Sequence, residues 1–324
     1  MALRTRLTEM LRIEHPVLSA PMAFAAGGAL ASAVSNAGGL GFIGGGYGER
    51  PWLEREFANA GGARVGCGFI TWSIATRPEA LDIALSHEPV AVMLSFGEPA
   101  PFAQRIKETG AKLMCQVQNM QHAREAVAAG ADILVAQGAE AGGHSMLRAT
   151  ITLVPEVADY LADTAPHVVL VAAGGIADGR GLAAALMLGA DGVLIGSRFW
   201  ASAEALVHRN FHERACASDG DHTIRTNVVD IARNIPWPRH FTGRVLRTRF
   251  VEEWHGRERE LSDPSVQQRE MDRYISAMQS GDADNTGVWV GEAAGLIKRV
   301  RPAGDLVREI VRDAEHRLNR FHAR

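Results

Sequence analysis

The chain has 324 residues, of which 47% are hydrophobic and 6% aromatic, with 34 glycines and a formal net charge of −3. This length allows one large domain or two ordinary ones, and the glycine-rich composition favours helices packed on a parallel sheet over an all-β sandwich. The slight negative charge argues against nucleic acid or an anionic membrane as a partner.

Eight short apolar runs predict the strands of a parallel sheet, because runs that are apolar throughout are buried on both faces. In chain order the predicted strands are 15–21, 39–45, 64–71, 91–96, 112–117, 132–138, 167–175 and 192–197. The clearest helical segments between them are 78–87, 119–131 and 178–190. Asn119 and Asp178 are the expected N-caps of the last two, and Gly130 and Gly189 the expected stops.

This alternation predicts an α/β fold, a (β/α)8 TIM barrel. A doubly wound sheet is the alternative, but the glycine-rich stretch at 39–48 lacks a G-x-G-x-x-G that opens a helix. We expect three parts: a cofactor-binding barrel at 1–199, a helical lid or subdomain at 200–285, and a C-terminal segment and helix at 286–324 that closes the barrel. The arginines at 239–250 are expected on a solvated or subunit-facing surface.

Cysteine usage and apolar runs bear on the compartment. Cys67 and Cys115 lie in strand-like runs and are expected to be small buried hydrophobes, and Cys216 completes no C-x-x-C pattern. No run of about 20 apolar residues could span a membrane, and Pro21 and Asn36 interrupt the apolar stretch after the basic N-terminus. We therefore expect a cytoplasmic protein without a signal peptide, and a homo-oligomer stays open.

In a barrel the reacting residues lie at the C-terminal ends of the strands. The only lysines of the chain are Lys107, Lys112 and Lys298. None follows a strand, which argues against a Schiff-base aldolase. Glu98, Glu140 and Asp178 follow three different strands, too scattered for an oxygen-ligated metal, and a glycosidase pair of Glu98 and Glu140 has no further support. Glycines and small neutral polar groups remain, and these suit a large planar heterocycle that carries the chemistry itself.

His144 ends the loop AQGAEAGGHS (136–145) after the sixth predicted strand. Two small residues precede it, so its ring is open to a reacting group, and we expect it to act as a general acid or base. A hydrogen-bonded loop histidine without a catalytic role is the alternative. Glu140 could orient the imidazole, cap the following turn or lie in solvent.

Two glycine loops after the seventh and eighth strands predict a phosphate site. Gly174 and Gly175 lie in one loop, and Gly196 and Ser197 in the other. Barrels often bind phosphate at these two loops through backbone N–H groups and a helix N-terminus. Tight turns without a ligand are the alternative.

Several motifs in this order resemble the nitronate monooxygenase family, formerly called 2-nitropropane dioxygenases. They are SAPM (19–22), AQGAEAGGH (136–144), AAGGIADG (172–179) and GVLIGSRF (192–199), and the likeness continues into TGRVLRTRF (242–250) and VWVGEAAGLI (288–297). The family is similar to other FMN-dependent barrel enzymes, including NADH:quinone reductases and flavin-type enoyl-acyl-carrier-protein reductases.

The resemblance implies FMN as the cofactor and His144 as the catalytic histidine. The implied FMN-binding residues are Ala20, Pro21, Met22, Gly68, Gln116, Gln137, Gly142, Gly143, Gly174, Gly175, Gly196 and Ser197. Three positions depart from the family pattern: Gly68 stands where many relatives have Asn, Ser145 where many have Gly, and Ser197 where Thr is commoner. The first two bear on the substrate more than on the cofactor.

The implied reaction is oxidation of an alkyl nitronate or nitroalkane by O2 to a carbonyl compound and nitrite. His144 would remove the α-proton of the neutral substrate or, as imidazolium, steady the nitronate oxygens. One alternative is an NAD(P)H-dependent quinone or enoyl-thioester reductase on the same fold. Another is a flavin-free barrel acting on a phosphorylated small molecule.

No metal is expected. His208, His212 and Cys216 are spaced to share one helix face, with His222 as the remaining candidate ligand, but nothing nearby supplies a firm fourth ligand.

Overall fold

Eight parallel strands form a nearly closed barrel in the computed structural model, which describes residues 3–322. The strands of these residues are β1 (Val17–Ser19), β2 (Phe42–Gly44), β3 (Gly66–Ile70), β4 (Ala91–Ser95), β5 (Lys112–Val117), β6 (Ile133–Gln137), β7 (Gly143–Ser145), β8 (Val169–Ala173), β9 (Gly192–Ile195), β10 (Thr223–Thr226) and β11 (Thr242–Leu246). The barrel order is β1-β9-β8-β6-β5-β4-β3-β2, and a bridge between Leu18 and Leu40 joins its two ends. The predicted (β/α)8 barrel and each of its eight strands are confirmed.

Helices lie between successive barrel strands and cover their outer faces, and further helices precede the first of these strands and follow the last. They are α1 (Arg6–Leu11), α2 (Gly28–Asn36), α3 (Arg50–Asn59), α4 (Thr71–Ile74), α5 (Glu79–Ser86), α6 (Ala100–Glu108), α7 (Met120–Ala128), α8 (Thr150–Thr164), α9 (Gly179–Met187), α10 (Ser197–Trp200), α11 (Arg209–Cys216), α12 (Val228–Ala232), α13 (Arg249–Trp254), α14 (Glu258–Leu261), α15 (Pro264–Ser280) and α16 (Ala303–His322). The expected boundaries at 1 and 324 fall outside the described residues.

The predicted helix ends are confirmed by their capping geometry. Asn119 accepts a hydrogen bond from the N–H of His122, and Asp178 accepts from the N–H groups of Arg180 and Gly181. Beyond these helices, Gly130 and Gly189 have φ angles of 81° and 94°. Only glycine adopts this left-handed backbone without a steric penalty, so these two glycines explain why the helices end where they do.

The barrel interior is filled by apolar side chains, and α1 covers its N-terminal end. Leu7 and Leu11 of α1 pack in the same buried cluster as Phe42, Met114 and Val171 of the strands. The C-terminal end is therefore the open one. Between strands and helices lies a second apolar layer that contains Cys67 and Cys115, as predicted. Burial raises the pKa of both thiols, that of Cys115 to about 12.

The sequence predicted a helical subdomain at 200–285, but this segment also contains strands. It contains α11 to α15, but β10 and β11 form an antiparallel pair within it, and β11 also pairs with β7. Both strands are short and contain an arginine, so they lack the continuous apolar run by which the other strands were predicted. The expected exposure of the arginines at 239–250 is wrong for Arg244, which is 9% exposed and lies in β11.

After the three-stranded sheet formed by β10, β11 and β7, the chain returns to the barrel. Helix α16 packs on α9 and on α2, so it fills the outer layer between the last and the first helical units of the barrel. In the described part of the chain, no helix has both the length and the apolar content needed to cross a membrane.

Candidate active site

A cavity of about 590 Å³ opens at the C-terminal ends of the barrel strands, beneath the subdomain. Every predicted catalytic and cofactor-binding residue lies in its wall: Ala20, Pro21, Met22, Gly68, Gln116, Gln137, Gly142, Gly143, His144, Gly174, Gly175, Gly196 and Ser197. These residues come from six different segments of the chain and meet only because parallel strands bring their carboxyl ends to one edge.

The two phosphate-type loops expose backbone donors to this cavity. Gly174 and Gly175 have φ angles of 102° and 72°. Among residues 3–322, the N–H groups of Gly175, Gly196 and Ser197 donate to no protein acceptor. The hydroxyl of Ser197 accepts from the N–H of Gly291 at 2.9 Å, which leaves its own proton to donate. This donor set suits a phosphate dianion.

The N-terminus of α9, behind the first loop, is not part of this donor set. Asp178 already accepts the N–H groups of Arg180 and Gly181 at the start of α9. The N–H groups at the start of α9 are thus occupied by a capping carboxylate. The N–H of Ser197, the first residue of α10, remains in the donor set, so a helix N-terminus at the phosphate site stays a prediction.

One wall of the cavity is a network of side-chain amides. Gln116 and Gln118 each donate from Nε2 to Oε1 of Gln137, at 2.9 and 2.6 Å. With its oxygen engaged twice, Gln137 keeps its NH2 group as a donor toward the cavity. Such neutral donors suit the polar edge of a flavin ring.

Gly68 is placed by close packing against the cavity wall. A Cβ atom on this residue would lie 2.3 Å from Cγ of Pro21, closer than side-chain atoms approach each other. In this chain the close approach of Pro21 leaves no room for a side chain at Gly68.

His144 lies in β7 and is held on several sides. Its Nε2 is 2.9 Å from Oδ2 of Asp230, in α12, and the two side chains are only 9% and 5% exposed. The imidazole stacks on the indole of Trp237, with ring centroids 3.5 Å apart and an interplanar angle of 7°. The indole of Trp289 is tilted against the imidazole, with centroids 5.2 Å apart and an interplanar angle of 34°. The indole N–H of Trp237 donates to the hydroxyl of Tyr47 at 3.1 Å, which fixes the stacking surface in turn.

Glu140 does not contact His144. Its carboxylate accepts from the N–H of Thr150 at 3.0 Å and from the Thr150 hydroxyl at 2.9 Å. Of the three roles open from sequence, capping the following helix, α8, is the one observed. The carboxylate that meets the imidazole is Asp230, which no sequence pattern indicated.

Ser145 faces away from the cavity and ties β7 to the subdomain. It is fully buried, and Arg225 donates from Nη1 to its hydroxyl at 2.5 Å and from Nη2 to its carbonyl. Arg225 also donates to the carbonyl of Thr242 at 2.6 Å. The family departure at Ser145 thus serves the attachment of the His144 strand, and it does not alter the cavity surface.

The outer part of the cavity is apolar with one cation. Met271, Ile275 and Met278 of α15 line it, and Ile275 and Met278 remain 45% and 40% exposed. Arg233 also lines it, and among the described residues no carboxylate lies within 4.0 Å of its guanidinium. A ligand that enters past these residues would meet apolar surface and one positive charge.

The histidine and cysteine spacing near α11 has structural explanations. His208 caps the helix by accepting the N–H of Asn210, and the buried His212 donates from Nε2 to the carbonyl of Trp200 at 2.8 Å. His222 bonds to Asp219. No cluster of three or more potential ligands converges anywhere in residues 3–322.

Sequence reasoning missed Gln118, Asp230, Arg233, Trp237 and Trp289. Gln118 follows a predicted strand by one residue and could have been found from that position. The others lie in or beyond the subdomain, where nothing in the local pattern separates a site residue from a structural one.

Comparisons with known proteins show the family to which the chain belongs. A model of the nitronate monooxygenase family matches residues 4–62 and 71–313. The chain is 34% identical to a nitronate monooxygenase of Neurospora crassa, over 95% of this chain and 91% of that one. It is 37% identical to the (3aS,4S,5R,7aS)-5-hydroxy-7a-methyl-1-oxo-octahydro-1H-indene-4-carboxyl-CoA dehydrogenase of Mycobacterium tuberculosis, over 78% of this chain and 68% of that one.

Among solved structures, FabK from Thermotoga maritima is similar over 99% of both chains. The TM-score is 0.86 at 31% sequence identity. The similarity therefore extends over the barrel, the subdomain and the C-terminal helix together.

Proposed function

The chain belongs to the nitronate monooxygenase family, whose members are FMN-dependent oxidoreductases, and we propose that it oxidises alkyl nitronates and nitroalkanes with O2 to carbonyl compounds and nitrite. The observation that carries the proposal is His144, whose imidazole is only 9% exposed and lies in the wall of the cavity among glycines, amides and aromatic rings. In that cavity it is the side chain best suited to take a proton from carbon.

The cavity residues suit FMN in both charge and shape. Backbone N–H groups of Gly175, Gly196 and Ser197 would hold the phosphate, and the amide of Gln137 would donate to the ring edge. Pro21 and Met22 would form the apolar wall beside it. When bound, the flavin supplies the electron acceptor for oxidation of the substrate.

His144 then acts on the α-carbon of a neutral nitroalkane. Its Nε2–H is engaged by Asp230, so Nδ1 carries the lone pair that takes the α-proton. The imidazolium that results lies beside the nitro oxygens and balances the negative charge that develops there. Trp237 and Trp289 exclude water from the ring faces, which strengthens this interaction.

The experiment compares native protein with His144→Asn on two forms of one substrate, 2-nitropropane and its preformed nitronate. Oxygen uptake with the neutral form should fall by roughly 100-fold or more, since proton removal has lost its base, while uptake with the nitronate should fall much less. Flavin absorbance controls for cofactor content. Unchanged turnover of the neutral form would remove His144 from this role, and no uptake by the native protein with either form would reject the function.

A second candidate is oxidoreduction of an acyl-CoA or similar thioester with NAD(P)H or another partner. It is favoured by the outer cavity, where the apolar face of α15 and the unpaired Arg233 could receive an acyl chain and an anionic group. The Mycobacterium tuberculosis relative acts on a carboxyl-CoA compound by its name. Under anaerobic conditions, this candidate is favoured if NADH bleaches the flavin absorbance and an enoyl thioester then restores it. Nitronate added in place of NADH should then leave the flavin absorbance unchanged.

A further inference from the structure

The carboxylate of Asp230 has an unusual set of neighbours for a buried acid. Its side chain is 5% exposed, and His144 Nε2 is its one hydrogen-bond partner among residues 3–322. Oδ1 is buried without a partner. Arg233, three residues later, is the C-cap of the same helix, yet it forms no ion pair with Asp230 within 4.0 Å. A carboxylate retained only for stability would be paired with a cation or with backbone N–H groups.

We propose that Asp230 is a positioning residue that fixes the tautomer and orientation of His144 and stabilises its protonated form. The inference rests on the proposed role of His144 as the base. A carboxylate can only accept, so the neutral imidazole must carry its proton on Nε2 and keep the lone pair on Nδ1. No described residue forms a hydrogen bond with Nδ1, which leaves that atom for the substrate.

The surroundings of the pair prevent the ring from turning to another arrangement. Trp237 stacks in parallel on one face at 3.5 Å, and Trp289 lies tilted against the ring at 5.2 Å. Phe96 contacts the imidazole edge-on with centroids 6.2 Å apart. Because the aromatic rings restrict rotation and only Asp230 bonds to Nε2, the tautomer depends on this one carboxylate.

When His144 takes a proton, Asp230 faces the new positive charge at hydrogen-bond distance. The pair becomes an imidazolium and a carboxylate in a site from which water is largely excluded, where their attraction is strong. Loss of the carboxylate should therefore weaken proton removal from a neutral nitroalkane and affect a preformed nitronate much less.

The test uses Asp230→Asn in the full-length, FMN-loaded protein, with Glu270→Gln as the matched control. Glu270 is a buried carboxylate of the same subdomain, 5% exposed, that bonds to Trp254 and Arg273 and does not touch His144. For Asp230→Asn we expect kcat/KM to fall roughly 10- to 100-fold with neutral 2-nitropropane and less than about 3-fold with its nitronate. Glu270→Gln should leave the ratio of the two substrates unchanged.

A spectroscopic measurement tests the tautomer without any substrate. Nitrogen-15 NMR of the imidazoles, with His144 assigned from its missing signals in His144→Asn, should show Nε2–H in the native protein and a mixed population in Asp230→Asn. Nδ1–H in the native protein, or the same tautomer in both, would overturn the proposal. If the variant does not fold, the native measurement still tests the proposal, because Nε2–H supports it and Nδ1–H overturns it.

The outcomes separate this inference from the proposed function. Failure of the native protein to oxidise any nitronate would reject the function, while the tautomer measurement would still support or overturn the role of Asp230. An equal loss with neutral substrate and nitronate in Asp230→Asn would assign the carboxylate a purely structural role.

Discussion

At the scale of single residues, Gly68 is held by close packing against Pro21. A Cβ at this position would lie 2.3 Å from Cγ and 2.5 Å from Cβ of Pro21, and the rigid proline ring cannot rotate away. We expect Gly68→Asn to shift Pro21 into the cavity and to lower FMN content by several-fold, with a loss of stability of about 1–3 kcal/mol from overpacking. The ratio of flavin to protein absorbance measures the first effect and denaturant unfolding the second.

Gly68→Ala is the control for this change, because it adds the Cβ without the amide. It should produce most of the loss. Full flavin content and higher activity in Gly68→Asn would instead mean that the amide, and not the packing, decides this position.

The sequence predicted His144 as a site residue but did not indicate its partner, Asp230. The glycine-rich loop after a strand marked His144, since such loops at strand ends carry reacting groups in a barrel. Asp230 lies 86 residues further along, in a helix of five residues without a recognisable motif. Their contact depends on the pairing of β7 with β11, which no local pattern predicts.

At the scale of elements, Arg225 of β10 joins β7 and β11 within the three-stranded sheet β10-β11-β7. It donates to Ser145 and to Thr242, and burial and the nearby Arg244 lower its pKa to about 10. We expect Arg225→Met to leave these buried acceptors unpartnered and to lower the free energy of unfolding by about 2–4 kcal/mol, with a loss of His144-dependent turnover. Denaturant unfolding and oxygen uptake with 2-nitropropane measure the two effects.

Ser145→Gly provides the matched comparison in a double-mutant cycle. It removes only the hydroxyl acceptor and should cost less than Arg225→Met alone. The two changes should be less than additive, because they remove the same contact. Simple additivity would show that Arg225 acts through the other acceptors.

Helix α11 contributes a pH-dependent stability through His212. The side chain is 7% exposed and donates to the carbonyl of Trp200, and burial lowers its pKa. The unfolded chain therefore binds a proton more readily than the folded one below the ordinary histidine value of about 6.5. Stability should fall as the pH drops from 7.5 to 5.5, and His212→Gln should show a smaller fall, since its neutral amide can make the same donation.

Urea unfolding of both proteins at several pH values between 5.5 and 7.5 measures the difference. His208→Gln, at the exposed N-cap of the same helix, controls for the loss of a histidine as such. Parallel curves for the native protein and His212→Gln would contradict the prediction.

At the scale of the whole molecule, we expect FMN to stabilise the fold, because the cavity that would bind it exists only in the folded protein. FMN at about 100 times its Kd should add about 2.7 kcal/mol to the free energy of unfolding, and riboflavin, which lacks the phosphate, should add less at equal concentration. Gly175→Ala should narrow the difference between the two ligands, because it strains a backbone at φ 72° whose N–H faces the phosphate site. Thermal unfolding with each ligand measures the difference.

Gly62→Ala is the control, because Gly62 also has a left-handed backbone, at φ 78°, and a Cβ there would meet no atom within 4 Å. It should lower stability by about 1–2 kcal/mol and leave the gap between FMN and riboflavin unchanged. Equal stabilisation by FMN and riboflavin in the native protein would contradict a phosphate site at these loops.

The sequence by itself determined the barrel, because its strands and helices are marked by local signals: continuous apolar runs, the caps Asn119 and Asp178, and the stops Gly130 and Gly189. The repeat of these units also fixed which segments end at the open edge. Only the tertiary structure decided the partner of His144, the burial of Arg244 and the apolar outer cavity. These depend on pairing between residues far apart in the chain, whose short polar segments carry no periodic signal of their own.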